Sequence, residues 1–228
     1  MERLFITGDT HGTIDFSKLN RKNFTEQKNL TKKDVVIITG DTGLCWDNTR
    51  MDKHLQNWYS KKKFTTLAVD GNHENHDLIM QLPVIEKFGG KVRKISDNVF
   101  YAIRGEIYEI ADKKILCIGG ADSKDKKLRI EGLSWWAGET ISDLDIKNAQ
   151  ENLLRYNNTV DYIISHTCGT DVCSMLGFNP TPSDKQLDIL LQTVDYKYHY
   201  CGHMHIDKLY YKTRILYNDI IEPAQIIF

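Results

Sequence analysis

The sequence predicts an α/β fold: a two-sheet β-sandwich flanked by helices. Three observations carry this expectation. Short β-branched or aromatic runs read as buried strands, these runs alternate with helical segments in both halves of the chain, and a hairpin-rich stretch lies between the halves.

Taken in order, strands are expected over Leu4 to Thr7, Val35 to Thr39, Thr66 to Val69, Val99 to Ile103 and Glu106 to Ile110. Further strands follow over Ile115 to Ile118, Tyr162 to Ser165, Tyr196 to Tyr200, Lys208 to Lys212 and Arg214 to Tyr217. The last two are close enough in sequence to form a hairpin. Helices fit Asp52 to Ser60, Asp77 to Phe88, Asp143 to Tyr156 and Asp184 to Thr193. Ser183 followed by Gln186 reads as a capping box for the last of these. With only 4 prolines, no Gly/Ser linker and no repeat, one domain over residues 1–228 is the economical reading.

Bulk properties narrow the function. The 228 residues suffice for a full-sized α/β domain, and 41% hydrophobic with 27% charged residues is an ordinary soluble composition. A net charge of -1 gives no nucleic-acid signal, and the run Lys61 to Lys63 reads as a solvated helix end. The 5 cysteines are odd in number, irregularly spaced and form no CxxC pair, which suggests reduced thiols in a cytoplasmic protein. The N-terminus runs directly into a strand pattern, so no signal peptide is expected, and no apolar run approaches a membrane span.

Chemistry concentrates at strand ends. The runs Gly8-Asp9-Thr10-His11-Gly12, Gly40-Asp41-Thr42-Gly43, Gly71-Asn72-His73-Glu74, Ser165-His166-Thr167 and Gly202-His203-Met204-His205 each follow an expected strand. Open α/β sheets bind ligands beyond the carboxyl ends of their strands. Carboxylate, imidazole and amide oxygen together suit borderline divalent ions. Two such ions, roughly 3.5–4 Å apart, can activate water and clamp a phosphoryl group. A bridging carboxylate would hold the pair, and a histidine beside the ligands (His73) is free for acid–base work. His54, His76 and His199 lie outside these motifs and read as ordinary surface or core residues; Asp70 and Glu74 read equally as supports of the site or as turn residues.

The ordered set Asp-x-His, Gly-Asp, Gly-Asn-His-Glu, His, Gly-His-x-His resembles the calcineurin-like metallophosphoesterase superfamily from Asp9 to His205. The resemblance implies a distorted β-sandwich with a dimetal site on one rim and hydrolysis of phosphoesters by a metal-activated water. By position, Asp9, His11 and His205 would bind one ion, Asn72, His166 and His203 the other, and Asp41 would bridge both. His73 matches the family's non-ligand histidine, which orients phosphate and protonates the leaving oxygen. The ions would be Mn²⁺ in the first place, with Fe²⁺, Zn²⁺, Ni²⁺ or Mg²⁺ as alternatives. One departure stands out. Many relatives read Gly-Asp-x-x-Asp-Arg-Gly at the second motif, whereas here Leu44-Cys45-Trp46-Asp47 follows, and Asp47 or Arg50 would have to substitute.

The expected function is therefore hydrolysis of a small or nucleotide phosphoester, mono- or diester. A protein serine/threonine phosphatase is the alternative, weakened by Leu44. A non-catalytic scaffold fits less well because no ligand histidine is missing, and a nuclease because no basic, aromatic-laced extension occurs. The long loop after Ile118 carries Arg129, Trp135 and Trp136. If its strand is parallel to its neighbours, Arg129 would reach the phosphate in place of the missing Asp-Arg, and Trp135 or Trp136 would wall a pocket.

Overall fold

The computed structural model describes residues 2–223. Strands β1 (Leu4–Thr7), β2 (Val35–Ile38), β3 (Thr65–Ala68), β4 (Val84–Lys87), β5 (Gly90–Ser96) and β6 (Val99–Ala102) belong to one sheet. Strands β7 (Ile107–Ile110), β8 (Lys113–Ile118), β9 (Thr159–Ser165), β10 (Asp195–Cys201), β11 (Lys208–Tyr210) and β12 (Thr213–Ile215) form the other, and β13 (Ile220–Ile221) returns to the first. The orders are β13–β1–β2–β3–β6–β5–β4 and β11–β12–β10–β9–β8–β7. Both sheets are mixed: β1, β2, β3 and β6 run parallel, as do β8, β9, β10 and β12, with antiparallel strands at the edges.

Side-chain alternation builds three apolar layers from these strands. Leu4, Ile6, Val35, Ile37 and Leu67 point inward and meet Ile115, Cys117, Ile164 and Tyr200 of the facing sheet. Phe5, Val36, Ile38 and Ala68 point outward and are covered by Leu55 and Tyr59 of helix α1 (Arg50–Ser60) and by Leu19 and Phe24. On the far side, Leu116, Ile118 and Ile163 pack under α3 (Asp143–Leu153) and α5 (Pro182–Thr193), each preceded in the chain by a shorter helix, α2 (His76–Gln81) and α4 (Thr170–Met175). Burial on both faces explains why the central strands read as unbroken apolar runs. Each such Leu or Ile contributes about 1.5–3 kcal/mol on burial. The result is an α/β sandwich with helices outside, as the sequence predicts.

Two local expectations need correction. No helix spans Asp77 to Phe88: α2 stops at Gln81, and Val84–Lys87 is instead strand β4, paired antiparallel with β5. Pro83 is the cause, since it disfavours helical backbone at Leu82, whose ψ is 143°. The turn that follows uses positive φ at Phe88 (56°) and Gly89 (80°). The capping box of α5 is made by Thr181 and Asp184 rather than Ser183 and Gln186, because Pro182 occupies the first helical turn. Conversely, the Lys208–Lys212 and Arg214–Tyr217 hairpin is present as β11 and β12. Among the described residues no helix is long and apolar enough to cross a membrane.

Candidate metal centre

Because β1, β2 and β3 are parallel, as are β8, β9 and β10, the loops leaving them emerge on a common rim. Asp9 and His11 follow β1, Asp41 follows β2, Asn72 and His73 follow β3, His166 follows β9, and His203 and His205 follow β10. Asp9, Asp41, Asn72 and His166 are buried, while the side chain of His205 is 51% exposed, so the cluster opens to solvent on one side. Glycines permit this crowding. A Cβ at Gly71 would stand 2.1 Å from Asp41 Oδ1, and one at Gly202 would stand 2.1 Å from Asp9 Oδ1.

Two donor groups result. Asp9, His11 and His205 bring ligand atoms within 4.8 Å of one another, and Asp41, His166 and His203 do the same. Asp41 Oδ2 lies 3.6 Å from His11 Nε2 and 3.3 Å from His166 Nε2, and so faces both groups. Asp9 Oδ2 lies 3.3 Å from His205 Nε2, and Asn72 Oδ1 lies 3.2 Å from His166 Nε2. Donors about 2.0–2.2 Å from a shared ion stand about 3.0–3.5 Å apart, so these spacings fit two ions joined through Asp41.

Electrostatics agree. Burial alone would raise Asp9 and Asp41, but the packed histidines win: His166 and His205 lower Asp9, and His166 and His11 hold Asp41 well below the usual carboxylate range. Burial likewise pulls His11 and His166 down, yet the carboxylates raise them to about 9 and about 10. His203, half-buried and facing the His166 charge, falls to about 4 through desolvation first and that charge second. With Asp9 and Asp41 both buried here, the cluster concentrates negative charge of the kind that draws cations.

Outer partners fix the ligand atoms. His11 Nδ1 pairs with Asp15 Oδ2 at 2.7 Å and His166 Nδ1 donates to the Thr39 carbonyl at 2.7 Å, so both rings turn Nε2 to the cluster. Asn72 Nδ2 donates to Ser123 Oγ at 3.2 Å, and Ser123 donates onward to Glu139 at 2.7 Å, which leaves the Asn72 oxygen facing His166. His205 stacks on Tyr217 with centroids 4.9 Å apart. Glu74 accepts from Thr42 N at 3.0 Å, Gly71 N at 2.7 Å and the Tyr101 hydroxyl at 2.6 Å, tying the Asp41 loop to the Asn72 loop. Burial and the Asp41 charge raise its carboxyl to about 7. Asp70 turns away from the ligands to a buried pair with Arg104 and to His76 at 3.2 Å.

Beside the ligands, His73 donates its backbone N–H to Asp41 Oδ1 at 2.8 Å, and its ring is half-buried. Strand β8 is parallel to β9, so the long loop after it does reach this rim. Nη1 and Nη2 of Arg129 each stand 3.5 Å from a ring nitrogen of His73, and Arg129 Nε is anchored by Asp125 at 2.8 Å. Burial and the Arg129 charge outweigh Asp41 and lower His73. A cleft of about 320 Å³ is lined by Asp41, Asn72, His73, Lys124, Arg129 and His203 among others.

The tryptophans take other places. Trp136 is buried and packs edge-on against Trp46 with centroids 5.1 Å apart, and Trp135 lies under Lys126; neither lines this cleft. Leu44 is fully buried in the core, Asp47 lines a cleft shared with His73, and Arg50 lines, with His54, an adjoining cleft that shares Thr13 and Met51 with it. Asp15, Ser123, Glu139 and Trp46 were not singled out from the sequence. Asp15, four residues after His11, and Trp46, five after Asp41, lay near enough to a motif to be found.

A comparison with curated proteins returns no match. The family model for calcineurin-like phosphoesterases matches residues 2–207, a span that opens before β1 and closes just beyond His205. It thus contains every candidate ligand, and the chain belongs to the calcineurin-like phosphoesterase family.

Proposed function

We propose that this chain is a dimetal-dependent hydrolase acting on small or nucleotide phosphoesters. The observation that carries the reading is the position of Asp41 Oδ2 between His11 and His166, which lets one carboxylate serve both donor groups. Asp9, His11 and His205 would hold one ion, Asn72, His166 and His203 the other, with Asp41 common to both. When bound, the ions supply water activation and charge neutralisation on the phosphoryl oxygens. Mn²⁺ is the first choice for this oxygen and nitrogen set, with Fe²⁺, Zn²⁺, Ni²⁺ and Mg²⁺ as alternatives.

The chain's own residues do the rest. Arg129 and Lys124 line the cleft beside the ligands, and a guanidinium there suits bidentate contact with phosphate. This supplies the grip that Leu44 leaves missing from the second motif. His73 sits between Arg129 and Asp41, placed to hydrogen-bond a phosphoryl oxygen and to give a proton to the leaving oxygen. Both sheets contribute ligands to one rim and share one core, which supports a single domain over residues 1–228. All five cysteines are buried and unpaired, which suits a reducing, cytoplasmic setting.

The test is a screen of aryl phosphate monoesters and diesters with Mn²⁺, Mg²⁺, Ni²⁺, Zn²⁺ and anaerobic Fe²⁺, beside elemental analysis. The reading expects about two ions per chain and metal-dependent turnover of one ester class. Two tightly held ions without turnover of any ester would point to the scaffold alternative, and no metal binding would remove the proposal.

A further inference from the structure

A second cleft of about 400 Å³ opens on the other side of His73. Its walls include Ile14, Trp46, Met51 and Leu55, and it shares His11 with the ligand cluster and His73 with the ligand-lined cleft. The rings of His11 and His73 stand 6.1 Å apart, and both lie at the junction of the two spaces. Trp46 is fixed from three directions. Its backbone N–H donates to Asp52 Oδ2 at 2.7 Å, its backbone carbonyl accepts from Asn75 Nδ2 at 2.9 Å, and its ring is buttressed by Trp136. The floor is closely packed backbone: a Cβ at Gly43, where φ is 68°, would stand 2.7 Å from Gly12 N.

Charge decides what fits. Apart from the two histidines, the ionisable residues lining this cleft are Asp47 and Asp52, and no lysine or arginine lines it among the described residues. Asp52 Oδ2 already accepts the N–H groups of Trp46, Asp47 and Asn48 at 2.7, 3.1 and 2.9 Å. A leaving group carrying a further phosphate would face these carboxylates with no lysine or arginine on the cleft wall to pair with it. An uncharged group with a flat ring would instead find carbon surface and an immobilised indole.

We infer that this cleft is the leaving-group subsite, that it selects phosphoesters of uncharged, ring-bearing alcohols of aryl or nucleoside type, and that Trp46 is its specificity-determining residue. The inference rests on the hydrolase reading above. In it, the phosphoryl group lies on the Arg129 side of His73 and the leaving oxygen passes beneath that ring.

The test uses Trp46→Ala and, because Met51 is 57% exposed and tolerates change, Met51→Glu. Turnover of 2-naphthyl phosphate and of a nucleoside 5′-monophosphate is compared with that of glycerol phosphate in the metal-loaded enzyme. Selectivity (the ratio of kcat/KM to that for glycerol phosphate) should fall about tenfold or more in both variants, as loss of a ring-stacking contact implies. The larger fall identifies an aryl or a nucleoside source. A second readout needs no turnover: equilibrium dialysis of 2-naphthol against metal-free protein should show binding that both variants weaken. Unchanged selectivity for both ring-bearing esters, no 2-naphthol binding by the wild type, or a preference for nucleoside diphosphates over monophosphates would overturn the subsite. If no ester is turned over, the hydrolase reading fails, while dialysis still decides whether the cleft takes an aromatic ring.

Discussion

Asp15→Asn removes the charge behind His11 while preserving side-chain shape. Asp15 Oδ2 lies 2.7 Å from His11 Nδ1 and also accepts the Tyr217 hydroxyl at 3.2 Å. The pairing assigns the proton to Nδ1, which leaves Nε2 facing Asp9 and Asp41 at 3.8 and 3.6 Å. Outer partners of this kind are worth roughly 10–100-fold in metal affinity, or about 1.4–2.7 kcal/mol. The amide keeps one acceptor oxygen, so Asn falls near the lower figure and Asp15→Ala near the upper. The loss is also directional. His166 is oriented instead by the Thr39 carbonyl at 2.7 Å, just past β2, so an ion held by Asp41, His166 and His203 should weaken much less. Calorimetric titration of metal-free protein with Mn²⁺ would then resolve one weakened and one near-normal site. Equal weakening of both sites, or no change at either, would refute action through the His11 tautomer.

Three further outcomes follow from the same geometry. Asp41→Asn removes the carboxylate that faces both donor groups and leaves Asp9 in a single group, so elemental analysis should show loss of both ions with turnover; two retained ions and normal rates would contradict the shared-ligand reading. His73→Ala should keep both ions but lose on the order of 10²–10⁴ in rate, less for nitrophenolate leaving groups than for alkoxides; equal losses across leaving groups would make His73 an electrostatic clamp rather than an acid. His199, fully buried between Ser165 Oγ at 2.6 Å and Thr213 Oγ1 at 3.1 Å, is pushed down to about 3 by burial. The unfolded chain therefore takes up a proton first as pH falls below about 6.5, and the stability of wild type relative to His199→Gln should drop about 1.4 kcal/mol per pH unit down to pH 4.5; a pH-independent gap in chemical denaturation would exclude this.

How legible these features were in the sequence depends on how local their causes are. The candidate ligands could be read because each sits within four residues of the end of a strand, most of them beside a glycine, and strand polarity carries them all to one rim. The second sheet's edge was also legible, since the β11 and β12 hairpin closes over two residues. Pro83 was a local signal too, and it falls inside the helix expected over Asp77 to Phe88; the helix stops at Gln81 and the chain turns at Phe88-Gly89. Long-range partners left no local trace. Asp70 and Arg104 are 34 residues apart, and nothing around Asp70 says that it faces Arg104 rather than a ligand. The tryptophans make the same point. Trp135-Trp136 drew notice as an adjacent pair, yet Trp136 serves as the buttress of Trp46, in a loop ninety residues earlier in the chain.

Backbone conformation adds something that residue types alone do not contain. His11, Asp41, His203 and His205 have φ of 40°, 48°, 66° and 50°, a region that costs a non-glycine residue about 1–3 kcal/mol. Such strain persists only where neighbouring bonds over-determine it, and here they do. The N–H of His11 donates to the Asp41 carbonyl at 2.7 Å, and that of His73 to the Asp41 carboxylate at 2.8 Å. The N–H of His203 donates to Asp9 at 3.1 Å, and that of Gly202 to the His166 carbonyl at 3.0 Å. Every candidate ligand loop is therefore bonded to another, and the loops hold one another in place through the protein alone. The strained backbone aims the donors inward, the bonds keep them there, and the buried carboxylates then set the demand for positive charge.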